Sequence, residues 1–121
     1  MSVLKEKIAG IVEKIHNISG VKSCALISRD GVLLGNKTVS DSNEAWFAAM
    51  CATILASAES IAVIVKNEAP CHITIQAPSG STIIVGTGEK LLVAVHMDSS
   101  VELDKTYEAL YVIAEEIAGS F

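Results

Sequence analysis

The polar and apolar positions of the chain fall into three helical and five extended stretches. Leu4, Ile8, Ile11, Val12 and Ile15 recur at helical spacing, while Lys5, Lys7, Glu13 and Lys14 lie largely off that stripe. A helix is predicted from about Val3 to Asn17, with Ser2 as its candidate cap and Ser19-Gly20 as its stop. VKSCALIS and VLLGN flank RDG, and Asp30-Gly31 suits a hairpin turn because glycine accepts the positive φ that the turn needs. A second helix is predicted from about Ser42 to Val65. Asp41 would be its N-cap, with Glu44 three residues on as a capping box, and KNEAP closes it. CHITIQ alternates, with Cys71, Ile73 and Ile75 on one side and His72, Thr74 and Gln76 on the other. APSGS turns the chain into TIIVG, and GTGEK turns it again into LLVAVHM. The last helix is predicted to start at Ser99, with Glu102 completing a second capping box. It would bury Leu103, Tyr107, Leu110, Tyr111, Ala114 and Ile117.

The order αββαβββα, with tight hairpins, predicts an α+β fold with a mainly antiparallel five-stranded sheet. CALI, TIIV and LLVAV are apolar on both faces, as central strands covered by helices on both sides are. CHITIQ and the short VLLG are the expected edges. No linker or internal repeat interrupts residues 1–121, so one domain is expected.

The stretch AWFAAMCATILASAES carries no charge until Glu59. A helix apolar all round is normally buried all round. On a wheel, Trp46, Phe47, Met50, Cys51, Ile54, Leu55, Ala58 and Ile61 fill one half, which is expected to cover the sheet. The other half holds Ala48, Ala49, Ala52, Thr53, Ala56, Ser57, Glu59 and Ser60, small residues that allow another helix to approach. The neighbouring helices have ordinary polar faces, so a second copy of this helix in a two-fold dimer is the simplest partner. An exposed alanine-rich face is the alternative. CHITIQ lacks the Pro, Lys or bulge glycine that protects an edge strand, so pairing across the same axis is expected. Ala45 to Val65 is long enough to span a membrane. Glu59, the Ala, Ser and Thr content and the DSNE start argue against insertion.

Composition narrows the function. The net charge of −5, with basic residues scattered, argues against a nucleic acid partner. Cys24, Cys51 and Cys71 are far apart and sit in apolar runs, which reads as reduced core thiols in a cytoplasmic protein. His16, His72 and His96 have no metal-ligand spacing, so neither metal nor cofactor is expected. GTGEK lacks the spacing of a phosphate loop, and no nucleophile, base or carboxylate pair forms a catalytic set. Arg29, the only arginine, is expected as a polar residue exposed at the hairpin tip, where an arginine finger would also have to sit.

Taken together, GVKSCALISRDGVLLG as first hairpin, GEKLLVAV leading into a final helix, and the αββαβββα order resemble the roadblock family. That family contains roadblock-type dynein light chains and the bacterial gliding-motility GTPase regulator. Ser23-Cys24 departs from it, since a glycine is common before the alanine. The resemblance covers the whole chain and implies a roadblock/profilin-like fold and dimers paired through the second helix and third strand. It implies a non-catalytic adaptor or regulator of a small Ras-like GTPase, or alternatively a scaffold subunit of a larger complex. A small-ligand sensor is a further reading, disfavoured by the aliphatic core. Ala49, Ala52, Thr53, Ala56 and Ile73 are the expected dimer contacts. Ser57, Ser60, Lys66, Asn67 and Glu68 are expected to meet a partner.

Overall fold

The elements follow one another in the predicted order αββαβββα. The computed structural model describes residues 3–37, 43–99 and 102–121. They are α1 (Val3–His16), β1 (Val21–Ser28), β2 (Leu33–Lys37), α2 (Glu44–Ile64), β3 (Ile73–Ala77), β4 (Gly80–Thr87), β5 (Leu91–Asp98) and α3 (Leu103–Ser120). The five strands form one antiparallel sheet in the order β2-β1-β5-β4-β3. The three strands apolar on both faces are the central ones, and the two edges are those expected.

Strand alternation splits the core into two layers. On one face Cys24, Leu26, Ile83, Val85, Val93 and Val95 meet Val12 and Ile15 of α1 and Leu110, Ile113 and Ile117 of α3. On the other face Ala25, Ile27, Ile84, Leu92 and Ala94 meet α2 alone. That second layer is floored by two alanines, so a helix must come close to fill it. The α2 residues that do so are Ala48, Cys51, Ala52 and Leu55.

Two helix starts differ from expectation. Strand pairing carries β5 to Asp98, which lies opposite Gly80 and pairs with Lys22 at 3.0 Å. Ser99 is left in the turn, and α3 starts at Leu103 with Glu102 as its N-cap and no side-chain cap hydrogen bond. The N-cap of α2 is Asn43, again without a side-chain cap; Asp41 lies outside the described residues. Glu44 turns instead to Asn36, whose Nδ2 donates to its carboxylate at 3.3 Å.

Candidate functional site

The structure seats α2 on the sheet about a quarter turn from the half expected: Phe47, Cys51, Ile54 and Leu55 face the sheet as expected, but the contact is shifted toward the small residues. Ala48 and Ala52 were expected outside and are buried, Ala52 at 7% exposure. Trp46, Met50 and Ile61 were expected on the sheet and point outward, with Trp46 at 69%. Side-chain size misleads the assignment. Over the alanine floor of the sheet, Ala48 and Ala52 come close while Leu55, Phe47 and Ile54 pack around them, and Trp46, Met50 and Ile61 are left on the far side. The signal is present as facing alanines, Ala25 and Ala94 opposite Ala48 and Ala52.

The outer face of α2 is therefore more apolar than the sequence suggests. Trp46, Met50, Ile61 and Ile64 are all exposed there, Ile64 at 78%. Between them lie Thr53, Ser57 and Ser60. The Thr53 hydroxyl donates to the Ala49 carbonyl of its own helix at 2.8 Å, which satisfies its polarity locally. So many large apolar side chains exposed along one face of a folded chain mark a contact site.

The edge strand β3 adds apolar residues on the α2 side of the sheet. Ile73 pairs with Ile84, which faces α2, so Ile73 and Ile75 share the α2 side. Ile73 is half-buried against that core, and Ile75 is exposed. The opposite side of the edge is closed by α3. His72 stacks on Tyr107 with ring centroids 4.1 Å apart and hydrogen-bonds the Tyr111 hydroxyl. The hydroxyls of Thr74 and Tyr107 lie 2.7 Å apart. Alternation puts His72 on this side of β3, and the tyrosines of α3 supply its partners.

Of the expected dimer residues, Thr53 and Ala56 are on the outer side of α2, Ala49 is half-buried at its flank, and Ile73 lies at the edge. Ala52 is not among them, because it packs into the sheet-side core. Of the expected partner residues, Ser57 and Ser60 lie on the outer stripe itself. Lys66, Asn67 and Glu68 are exposed just beyond the helix. Lys66 takes a left-handed conformation (φ 59°) while its amide and that of Asn67 bond back to Val63 and Ala62. That pattern ends the helix in the way a glycine usually does.

Arg29 is not an exposed finger. Its Nη1 donates to both oxygens of Glu59 at 2.8 and 2.9 Å, its Nε to the Leu91 carbonyl at 3.0 Å and its Nη2 to the Gly88 carbonyl at 2.7 Å. The guanidinium lies over Gly86, where an added Cβ would come within 2.6 Å of Nη2. The side chain staples the two hairpin turns to α2.

Cys24 and Cys51 are buried as expected, and burial pushes each thiol up to about 11. Cys71 is exposed, contrary to expectation, because β3 begins only at Ile73 and leaves it outside the sheet. It lines an open groove of about 380 Å³ with Gly86, Tyr111, Ala114 and Glu115. Burial, with Cys71 beside it, pushes the Tyr111 phenol up. No cluster of metal-binding side chains occurs among the described residues. By length and composition α2 would suffice to cross a membrane. Its inner side, however, is seated on the sheet, and Glu59 is ion-paired there.

A family model described as Roadblock/LC7 domain matches residues 7–96. No curated protein matched the chain. Among solved structures the chain is similar to MglB of Myxococcus xanthus, with a TM-score of 0.90 at 14% identity over 100% of this chain and 92% of that one. It is similar to the gliding protein MglB of Thermus thermophilus, with a TM-score of 0.85 at 18% identity over 98% and 91% of the two chains. A Roadblock/LC7 domain from Streptomyces avermitilis gives a TM-score of 0.81 at 13% identity over 98% of each chain. At these identities the likeness is one of fold.

Proposed function

The chain belongs to the Roadblock/LC7 domain family, and on that premise we propose that it is a non-catalytic, self-associating adaptor that regulates a small Ras-like GTPase. The observation that carries the reading is the outward apolar face of α2, together with the open edge of β3. Fold likeness to MglB adds the GTPase to this picture by analogy.

The outer stripe has an internal symmetry that suits two copies. Trp46, Met50, Thr53, Ser57, Ser60 and Ile64 follow one another at alternating spacings of four and three, the repeat of a helix–helix seam. In an antiparallel pair centred at Leu55, Trp46 would face Ile64 of the partner subunit. Met50 would face Ser60 of the partner subunit, and Thr53 would face Ser57 of the partner subunit. Large residues then meet at the ends, and small ones allow close approach at the axis. Ala49 and Ala56 flank the seam, and the Ile73–Ile75 edge lies beside it. Lys66, Asn67 and Glu68 form a polar rim of the resulting platform. Two copies offer a GTPase more surface than one small chain, against a need of roughly 800 Å² per side.

The chemistry of the platform is positional. Arg29 is held by Glu59 and two carbonyls, so any acceleration of hydrolysis would act through the GTPase's own residues. We place the protein in the cytoplasm, with the outer face of α2 covered by protein rather than lipid. The test is affinity capture of the cell's GTPases, loaded in turn with GTP and GDP, on the purified chain. Capture that depends on the nucleotide supports the proposal. Incorporation into a complex free of GTPase would replace it with a scaffold role.

A further inference from the structure

Because α2 is apolar on both sides, hydrophobic burial alone does not choose which side meets the sheet. The observed choice leaves four large apolar side chains, Trp46, Met50, Ile61 and Ile64, outside, while Phe47, Ile54 and Leu55 pack inward. A helix turned by half a revolution would bury them and expose Ala48, Cys51, Ala52 and Leu55. Packing on the alanine floor opposes that rotation, and a directional contact would oppose it further.

The only charged residues in α2 are Glu44 and Glu59. Fifteen positions apart, they lie about 60° from each other around the helix, on the same side. Both find partners on the sheet side. Asn36 of β2 donates to Glu44, and Arg29 grips both oxygens of Glu59. The Arg29–Glu59 pair is partly sheltered, at 24% and 38% side-chain exposure, and Arg29 is itself fixed by the carbonyls of Gly88 and Leu91. Half a revolution would break the bidentate pair and leave a half-buried guanidinium with one partner fewer. Ionic contacts of this kind serve best as register devices, since their directionality exceeds their net contribution to stability.

We propose that Arg29 is a positioning residue that acts through Glu59 to set the rotation of α2, and so determines that the Trp46–Ile64 stripe faces outward. Its consequence for assembly rests on the self-associating reading above; the rotation itself does not. Losing the lock would leave a fraction of chains with the small-residue face outward. Both protomers must be competent to associate, so a competent fraction of about one third would weaken the apparent dissociation constant about tenfold.

Trp46 is the only tryptophan and reports the rotation directly. The test compares the full chain with Arg29→Met, with Arg29→Lys, and with the double variant Arg29→Met/Glu59→Met. The double variant replaces both charges by apolar groups and so protects folding if the single change does not. Iodide quenching of Trp46 is read in an Ile64→Ser background that keeps chains apart, and self-association is read by sedimentation without that change. Loss of the lock should lower Trp46 quenching severalfold and weaken association about tenfold, with far-ultraviolet dichroism unchanged. Arg29→Lys should fall between. Quenching in the double variant equal to that of the unmodified pair would overturn the proposal and assign the rotation to the alanine floor. A wild-type chain that never self-associates would remove the dimer but not the lock, because the quenching still reads it.

Discussion

Replacing Ile64 by serine should separate two protomers without disturbing either. Ile64 is 78% exposed in the single chain, so its folding loses little, within about 0.5 kcal/mol. Across the proposed two-fold axis the same side chain is covered by Trp46 of the partner subunit. Covering an isoleucine that was mostly exposed contributes about 2 kcal/mol. The symmetry repeats the contact, so the dimer loses about 4 kcal/mol, which is close to three powers of ten in the dissociation constant. Sedimentation equilibrium over a range of concentrations measures that constant, and urea unfolding of the dissociated chain measures the fold. Val112→Ser is the control, since Val112 is an exposed apolar residue on α3, away from the seam. An Ile64→Ser dissociation constant within threefold of wild type would refute the reasoning. So would an equal loss in Val112→Ser, which would mean general stickiness rather than a seam.

Three further outcomes are expected. With a thiol reagent at pH 8, Cys71 should react quickly and Cys24 and Cys51 slowly, because burial holds the last two thiols near 11 and keeps them protonated; two fast thiols in the folded protein would contradict this. Lys66→Gly should stabilise the fold by about 1 kcal/mol in urea titration, since glycine removes the steric cost of the left-handed conformation at that position. Hydrogen bonding from Lys37, whose Nζ is 2.6 Å from Glu13, holds the Glu13 carboxyl below its ordinary range. The stability from that contact is present at neutral pH and is lost as pH falls through the lowered value. Lys37→Met should raise the Glu13 midpoint in an NMR titration, and an unmoved midpoint would deny the contact.

Strand order and the two-layer core were legible because strands covered on both faces lose the alternation that an edge such as CHITIQ keeps. CALI, TIIV and LLVAV have no polar face to offer water and had to be central. Helix ends were less legible: Ser99 and Glu102 match a capping box, but pairing of Asp98 opposite Gly80 competes for the same residues and prevails. The site was half legible. A surplus apolar face on α2 was visible in its composition, whereas its direction depends on contacts made across the sheet, with the alanines of β1 and β5 and with Arg29. Arg29 was legible as a turn residue only. Its partners come from the β4–β5 turn and from α2, thirty or more positions away, and no local pattern announces such a contact.

The central claim is tested most directly by titrating the purified chain with a Ras-like GTPase from the same cell, loaded in separate experiments with a GTP analogue and with GDP. Binding should differ between the two nucleotide states, with two copies of this chain per GTPase, and should be lost in Ile64→Ser, which retains its fold. No binding in either state, or equal binding that Ile64→Ser leaves intact, would contradict the account.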